Sequence, residues 1–309
     1  YANAFAKLQP GRCRYGIMLT ESGFVMDDGV VARLAPTRFH LTTTTGGAAR
    51  VLATMEDYLQ TEWPDLRVWL ASVTEQWAVL AVQGPKARAV LAPFVDDIDL
   101  APEAMPHMSV RTGHIGKVPI RLFRVSFTGE LGFEINVPSG EAPAIWDLVR
   151  TRVEAEGGCL YGTEAMHVMR AEKGYIIVGQ ETDGTVTADD LGLGGMVSTR
   201  KPDFVGKRSL RLAELARPGR KQLVGLLSDG TVLDEGAQIV ATAASREPLG
   251  HVTSAYEATT LGYPIALAVL EDGRARVGQT LTVPLLSGPV PVRVTAPVFL
   301  DPEGARLHA

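Results

Sequence analysis

The sequence predicts an α+β fold in which two related sheet-plus-helix units, residues 1–107 and 108–218, are followed by an antiparallel β-barrel over 219–309. Three observations carry this expectation. Residues 24–60, "FVMDDGVVARLAPTRFHLTTTTGGAARVLATMEDYLQ", alternate as strand, turn and strand, then change to helical spacing at Val51, Leu52, Met55 and Leu59. Residues 118–154, "VPIRLFRVSFTGELGFEINVPSGEAPAIWDLVRTRVE", repeat that order and end in a helix carrying Ile145, Leu148 and Val149. Similar order without similar residues points to two related units, each a sheet with helices packed on one face. Beyond Pro218-Gly219 the texture changes to short β-rich runs, "LVGLL", "IVATA", "ALAVL", "LTVPLL" and "VPVRVTAPVFL", which suit a separate barrel or sandwich.

The chain opens at Tyr1 rather than Met, so the first unit is expected to be incomplete at its amino end. Within that unit, residues 77–84, "WAVLAVQG", read as a strand stopped by Gly84-Pro85, and "KARAVLAPFV" follows as a helix. In the second unit, residues 125–135, "VSFTGELGFEI", place Val125 and Phe127 on one face. After Thr128-Gly129 the alternation resumes through Leu131, Phe133, Ile135 and Val137, so two strands joined by a short turn are expected. Glu134 then falls on the opposite face, beside Gly132. Such a carboxylate either faces solvent on a wetted sheet or marks where a flat ligand lies against it.

Composition narrows the function classes. With 309 residues, 46% hydrophobic and 21% charged, the chain has material for two or three cores. A formal net charge of −5 provides no basic field and excludes nucleic acid as the main partner. No run reaches the length of a membrane span, and the opening "YANAFAKLQPGRCRYG" lacks the layout of a signal peptide. Cys13 and Cys159 are too few for a disulfide framework, so a soluble, reduced, cytoplasmic chain without membrane contact is expected. The six histidines form no metal-ligand spacing, and no metal is expected. "DFVGKRSL" is not a phosphate loop, because Lys201 stands where the first glycine belongs and Arg208 follows the lysine. "DDLGLGGMV" misses the dinucleotide spacing at Val197, and no nucleophile elbow is present.

Carboxylates remain. Asp28-Gly29 between apolar runs is a favoured hairpin turn, but the alternation equally allows one strand over 25–33 with Asp28 turned inward. The repeats would put Asp28 and Glu134 on comparable strands, where one site receives both.

Together "GFVMDDGVVARL", "FTGELGFEI", "YGTEAMHVMRAEKG", "TADDLGLGGMVS", "DFVGKRSL" and "GHVTSAYEATTLGYPIALAVL" resemble the aminomethyltransferase family, whose prototype is the glycine cleavage T-protein. The resemblance runs along nearly the whole chain. Within the family, "NAFAKLQPGRCRYGIMLTESGFVMDDG", "TTTTGGAARV", "VTEQWA" and "YGTEA" are similar to the carboxy-terminal region of α subunits of heterotetrameric sarcosine oxidases. It implies two α+β units around a central folate site, followed by a β-barrel.

The resemblance also implies roles. Asp28 matches an aspartate beside the reactive pterin nitrogens and would be catalytic. Glu134 matches a glutamate that hydrogen-bonds the pterin, while Phe127, Thr44 and Gly132 would complete the cofactor-binding set. Phe127 stands where a tyrosine is usual, and the sequence near Met166 lacks an arginine of glycine cleavage enzymes, which counts against lipoyl-carrier chemistry. The implied cofactor is tetrahydrofolate, with FAD, FMN and NAD held elsewhere in the complex and β, γ and δ subunits as partners. The implied reaction passes the one-carbon unit of oxidised sarcosine to tetrahydrofolate, giving 5,10-methylenetetrahydrofolate and glycine. The alternatives are a stand-alone folate-dependent methyl- or aminomethyltransferase and a folate-binding module without turnover.

Overall fold

The computed structural model describes residues 1–308. The chain forms two compact units, each drawn from separate stretches of sequence. The sheet unit comprises Phe5–Gly16, Asp27–Tyr161 and the residues from 305 onward; the barrel unit comprises Tyr1–Ala4, Ile17–Met26 and Gly162–Gly304.

The elements of the sheet are β1 (Arg12–Leu19), β2 (Val25–Ala35), β3 (Arg38–Leu41), β4 (Trp77–Gln83), β5 (Ser109–Ile115), β6 (Val118–Arg124) and β7 (Gly132–Pro138). They lie in the order β3-β2-β1-β5-β6-β7-β4, so both sequence repeats contribute strands to one sheet. Helices α1 (Ala48–Thr61), α2 (Ala87–Leu91) and α3 (Ala142–Ala155) accompany them. Strict alternation along β7 sends Phe133, Ile135 and Val137, all fully buried, into a core with Val90 and Leu91 of α2 and Ile145 and Val149 of α3. Leu148, expected on the apolar side of α3, is exposed.

The opposite face of the sheet is concave. Cys13 of β1, Ala32 of β2, Val110 of β5 and Phe123 of β6 pack in one cluster with Val125, Val30 and Leu34. In a flat sheet β3 and β6 would stand about 19 Å apart, yet His40 of β3 reaches Phe123 of β6 with ring centroids 5.4 Å apart, so the strands curl.

One open reading is decided in favour of the strand and one expectation is corrected. The Asp28-Gly29 turn does not form, because β2 runs continuously to Ala35 and pairs with β3 through Val31↔Leu41, Ala32↔His40 and Arg33↔Phe39. The hairpin over 125–135 has a seven-residue connection, since β6 stops at Arg124 and β7 starts at Gly132. Ser126 and Thr128 hydroxyls each donate to Gln83 Oε1, at 3.0 and 3.1 Å, and these side-chain bonds replace the ladder the extra strand residues would have made.

The barrel unit contains α4 (Thr163–Glu172), α5 (Ala213–Ala216) and strands β8 (Lys221–Ser228), β9 (Gln238–Val240), β10 (Pro248–Ala258), β11 (Tyr263–Glu271), β12 (Thr280–Leu285) and β13 (Gly288–Thr295). These strands close in the order β10-β11-β8-β13-β12-β9. Alternation explains the filling, with Val290, Val292 and Val294 of β13 inward against Leu226, Val252, Ala268 and Val283. Arg170 of α4 is fully buried and donates to Glu181 Oε2 at 2.8 Å and to the Ser254 hydroxyl at 2.6 Å. No helix among the described residues is long and apolar enough to cross a membrane.

Candidate functional site

The neighbouring carboxylates of β2 diverge because a strand turns successive side chains to opposite sides. Asp27 is fully buried and serves as a structural tie: its Oδ1 accepts from the Asp28 and Thr44 amides at 2.8 and 3.0 Å, and its Oδ2 accepts from the Thr44 hydroxyl at 2.9 Å. Gly47 permits this tie, since a Cβ there would lie 1.8 Å from Asp27 Oδ2. Thr44 is therefore engaged with Asp27 through both its amide and its hydroxyl.

Asp28 takes the other side of β2, in step with Val30, Ala32 and Leu34 of the concave cluster. The Tyr15 hydroxyl of β1 donates to its Oδ2. Burial pushes the Asp28 carboxyl up to about 6, with Tyr15 pulling it back down and the Asp27 charge adding to the rise. Burial and the adjoining carboxylate likewise raise the Tyr15 phenol, keeping it a neutral donor.

Glu134 lies on β7 directly across from Phe123 of β6 and Ala81 of β4. Phe123 belongs to the concave cluster, so the curled face brings Asp28 and Glu134 to one surface from strands separated by β1, β5 and β6. Half-burial raises the Glu134 carboxyl to about 7. Among the described residues none donates a hydrogen bond to it and no cation pairs with it. Tyr161 stands near enough to feel its charge.

The remaining expected site residues are placed as follows. Phe127 is half-buried in the connection between β6 and β7. At Gly132 a Cβ would fall 2.2 Å from Gln83 Oε1 and 2.6 Å from the Val125 carbonyl, so the close approach of these groups requires glycine there. Tyr15 went unnoticed in the sequence, although the alternation of "RCRYGIML" puts it on the face of Cys13. His40 and Arg121 also occupy this surface, joined by a 3.0 Å contact between residues 81 apart.

Comparison with known proteins agrees with this architecture. Residues 1–201 match the family described as GCVT N-terminal domain, and residues 221–301 match the glycine cleavage T-protein C-terminal barrel domain. The chain belongs to the glycine cleavage T-protein family. Among T-protein relatives, the sarcosine oxidase subunit alpha of Corynebacterium sp. (strain P-1) is 46% identical over 99% of this chain and 32% of its own length. The corresponding subunit of Rhizobium meliloti (strain 1021) is 42% identical, again over 32% of its length. The chain thus spans about a third of these subunits. An aminomethyltransferase of Saccharopolyspora erythraea is 32% identical over 96% of this chain and 79% of its own. The crystal structure of the glycine cleavage system aminomethyltransferase T from Bartonella henselae shares the fold, with a TM-score of 0.81, 24% identity, and coverage of 96% of this chain and 78% of that one. The T-protein chain described here is an aminomethyltransferase-like domain related to sarcosine oxidase alpha subunits.

Proposed function

We propose that the concave face binds tetrahydrofolate and that the domain, as part of a sarcosine oxidase alpha-type subunit, passes to it the one-carbon unit of an oxidised N-methyl amine. With sarcosine as the amine, the products are 5,10-methylenetetrahydrofolate and glycine. The observation that carries this reading is Glu134, a half-buried carboxylate with no hydrogen-bond donor among the described residues, on the surface that also holds Asp28. Leaving such a group unpaired is costly, and a ligand that brings two adjacent N–H donors relieves the cost. The aminopyrimidinone edge of a pterin has that donor set, and exposed Ala81, directly across from Glu134 on β4, leaves room beside the carboxylate for a flat ring.

Bound reduced folate supplies the nitrogens that take up the one-carbon unit. Asp28 supplies negative charge for a cationic carbon centre and accepts a proton, a role worth roughly 100-fold to 10,000-fold. Tyr15 orients the Asp28 carboxylate by holding Oδ2. Phe127 lends apolar surface, and Thr44 and Gly132 act on the site indirectly, through the Asp27 tie and the packing of Gln83. Oxidation of the amine, with FAD, FMN and NAD, belongs to other parts of a cytoplasmic heterotetramer with β, γ and δ subunits.

Calorimetric titration of tetrahydrofolate into the purified chain tests the reading. Glu134→Ala should weaken binding by about 10- to 150-fold, the cost of about 1.5–3 kcal/mol for a lost charged hydrogen bond, and Glu134→Gln should fall between. Asp28→Asn should bind tetrahydrofolate nearly as well as the parent yet lose methylenetetrahydrofolate formation. In the parent that rate should rise with pH through about 6 as Asp28 ionises. An unchanged dissociation constant in Glu134→Ala returns this carboxylate to the role of a solvated sheet residue.

A further inference from the structure

At the end of the concave face away from Asp28 lies a group of cations without a counter-ion. Arg38 and His40, two apart on β3, share the face of Ala32, the cross-strand partner of His40. Arg121 of β6 stacks its guanidinium on Trp77 of β4, 3.8 Å from the ring centroid. Its Nη1 lies 3.0 Å from His40 Nδ1. A guanidinium only donates, so Nδ1 accepts and the imidazole carries its proton on Nε2, leaving that N–H as a donor. Burial and the two arginines lower the His40 pKa to about 4, which keeps the ring neutral.

Burial lowers the Arg121 pKa and the Arg38 charge adds to the fall, so the two guanidiniums repel each other. Among the described residues no carboxylate pairs with Arg38 or Arg121, although the chain has 35 acidic residues against 30 lysines and arginines. Two cations held together beside a neutral donor, one of them fixed on an indole, form an anion receptor. A guanidinium lying flat on an aromatic ring leaves its in-plane N–H edge for a planar, two-oxygen acceptor. The geometry points to a carboxylate-binding site built from Arg38, His40 and Arg121 against Trp77.

The site is distinct from Asp28. Ala32, paired with His40, is four residues along β2 from Asp28, about 13 Å of extended strand, and Ala35, paired with Arg38, is farther still. The carboxylate has two sources. One is the glutamate tail of a pteroylglutamate, which rests on the folate reading above; the other is the amino-acid half of the substrate.

The test follows the Trp77 indole N–H by NMR in the whole chain, assigned with Trp77→Phe, during titration with p-aminobenzoylglutamate, glycine or inorganic phosphate. Saturable shifts with p-aminobenzoylglutamate alone assign the site to the tail, and with glycine alone to the amino acid. In either case Arg38→Met, at an exposed position that leaves the Arg121–Trp77 stack intact, should weaken binding about tenfold. These ligands carry no pterin, so the titrations read this site whether or not tetrahydrofolate binds at Glu134, and failure of the folate reading is told apart from failure of this one. The proposal is overturned if neither carboxylate shifts the signal, if phosphate binds as well as either, or if Arg38→Met retains full affinity.

Discussion

Glu134 loses part of its hydration on the sheet face and gains no hydrogen bond from the described residues in return, so its ionised form is the destabilised one. Its carboxyl rises from an ordinary 4.5 to about 7 in the folded chain. The folded state therefore binds the proton more tightly than the unfolded state between these values. Stability contributed by the protonated group is fully present below about 4.5 and is lost as pH rises toward 7. Glu134→Gln removes the titration while keeping the shape. At pH 8 it should unfold at a higher temperature than the parent, by about 2 kcal/mol of stability, and the two melting curves should converge near pH 4. Equal melting points at pH 8 would mean that the carboxylate is already compensated in the folded chain. A residue retained at such a cost is what a binding function predicts, because stability and function compete at the same atom.

At the level of elements, β2 and the turn before α1 are joined by the Asp27 tie, and two adjacent glycines test it. At Gly47 a Cβ would meet Asp27 Oδ2 at 1.8 Å and Thr44 Oγ1 at 2.5 Å, whereas at Gly46 nothing lies within 4 Å. Gly47→Ala should cost about 2–4 kcal/mol in urea denaturation and disturb Asp28 beside it, while Gly46→Ala should be close to neutral. Comparable losses at both positions would show that backbone freedom, not the close approach to Asp27, is what matters. This tie also marks where local sequence pattern stops being informative. The alternation of Phe133, Ile135 and Val137 made the Glu134 face legible, because a period of two is written in neighbouring residues. For Asp28 the same pattern allowed turn or strand, and the choice was made by pairing with β3 and by hydrogen bonds from Thr44 to the adjacent Asp27, 17 residues apart. The β6–β7 connection was misread as a tight hairpin because its bonds go to Gln83, more than 40 residues earlier.

At the scale of the molecule, the barrel was foreshadowed by a change of texture after Gly219, but the membership of the compact units depends on contacts that no local pattern encodes. Within the barrel unit the Val25 amide bonds the Val186 carbonyl at 2.9 Å, and the Ser198 amide bonds the Ala2 carbonyl at 3.0 Å. Within the sheet unit, residues 305–308 return to the β6–β7 region. There Arg306 pairs with Glu130 at 2.6 Å, and the Leu307 carbonyl accepts from Arg124 Nη2 at 2.7 Å. These two contacts are unequal. Arg306 is 46% exposed, so its ion pair is screened, and Arg306→Ala should cost less than about 1 kcal/mol. Arg124 is only 2% exposed, and its Nε already lacks a partner. Shortening the chain after Gly304 leaves the Arg124 cation with its 3.5 Å bond to the Gly132 carbonyl as the remaining protein hydrogen bond, one residue away from the connection that carries Phe127. The truncated chain should lose about 1–3 kcal/mol, several times the loss in Arg306→Ala, and proteases should cut more readily between residues 125 and 131. A truncated chain as stable and as resistant as the parent would show that Arg124 is satisfied without Leu307, and that the carboxy-terminal residues do not brace the Glu134 strand.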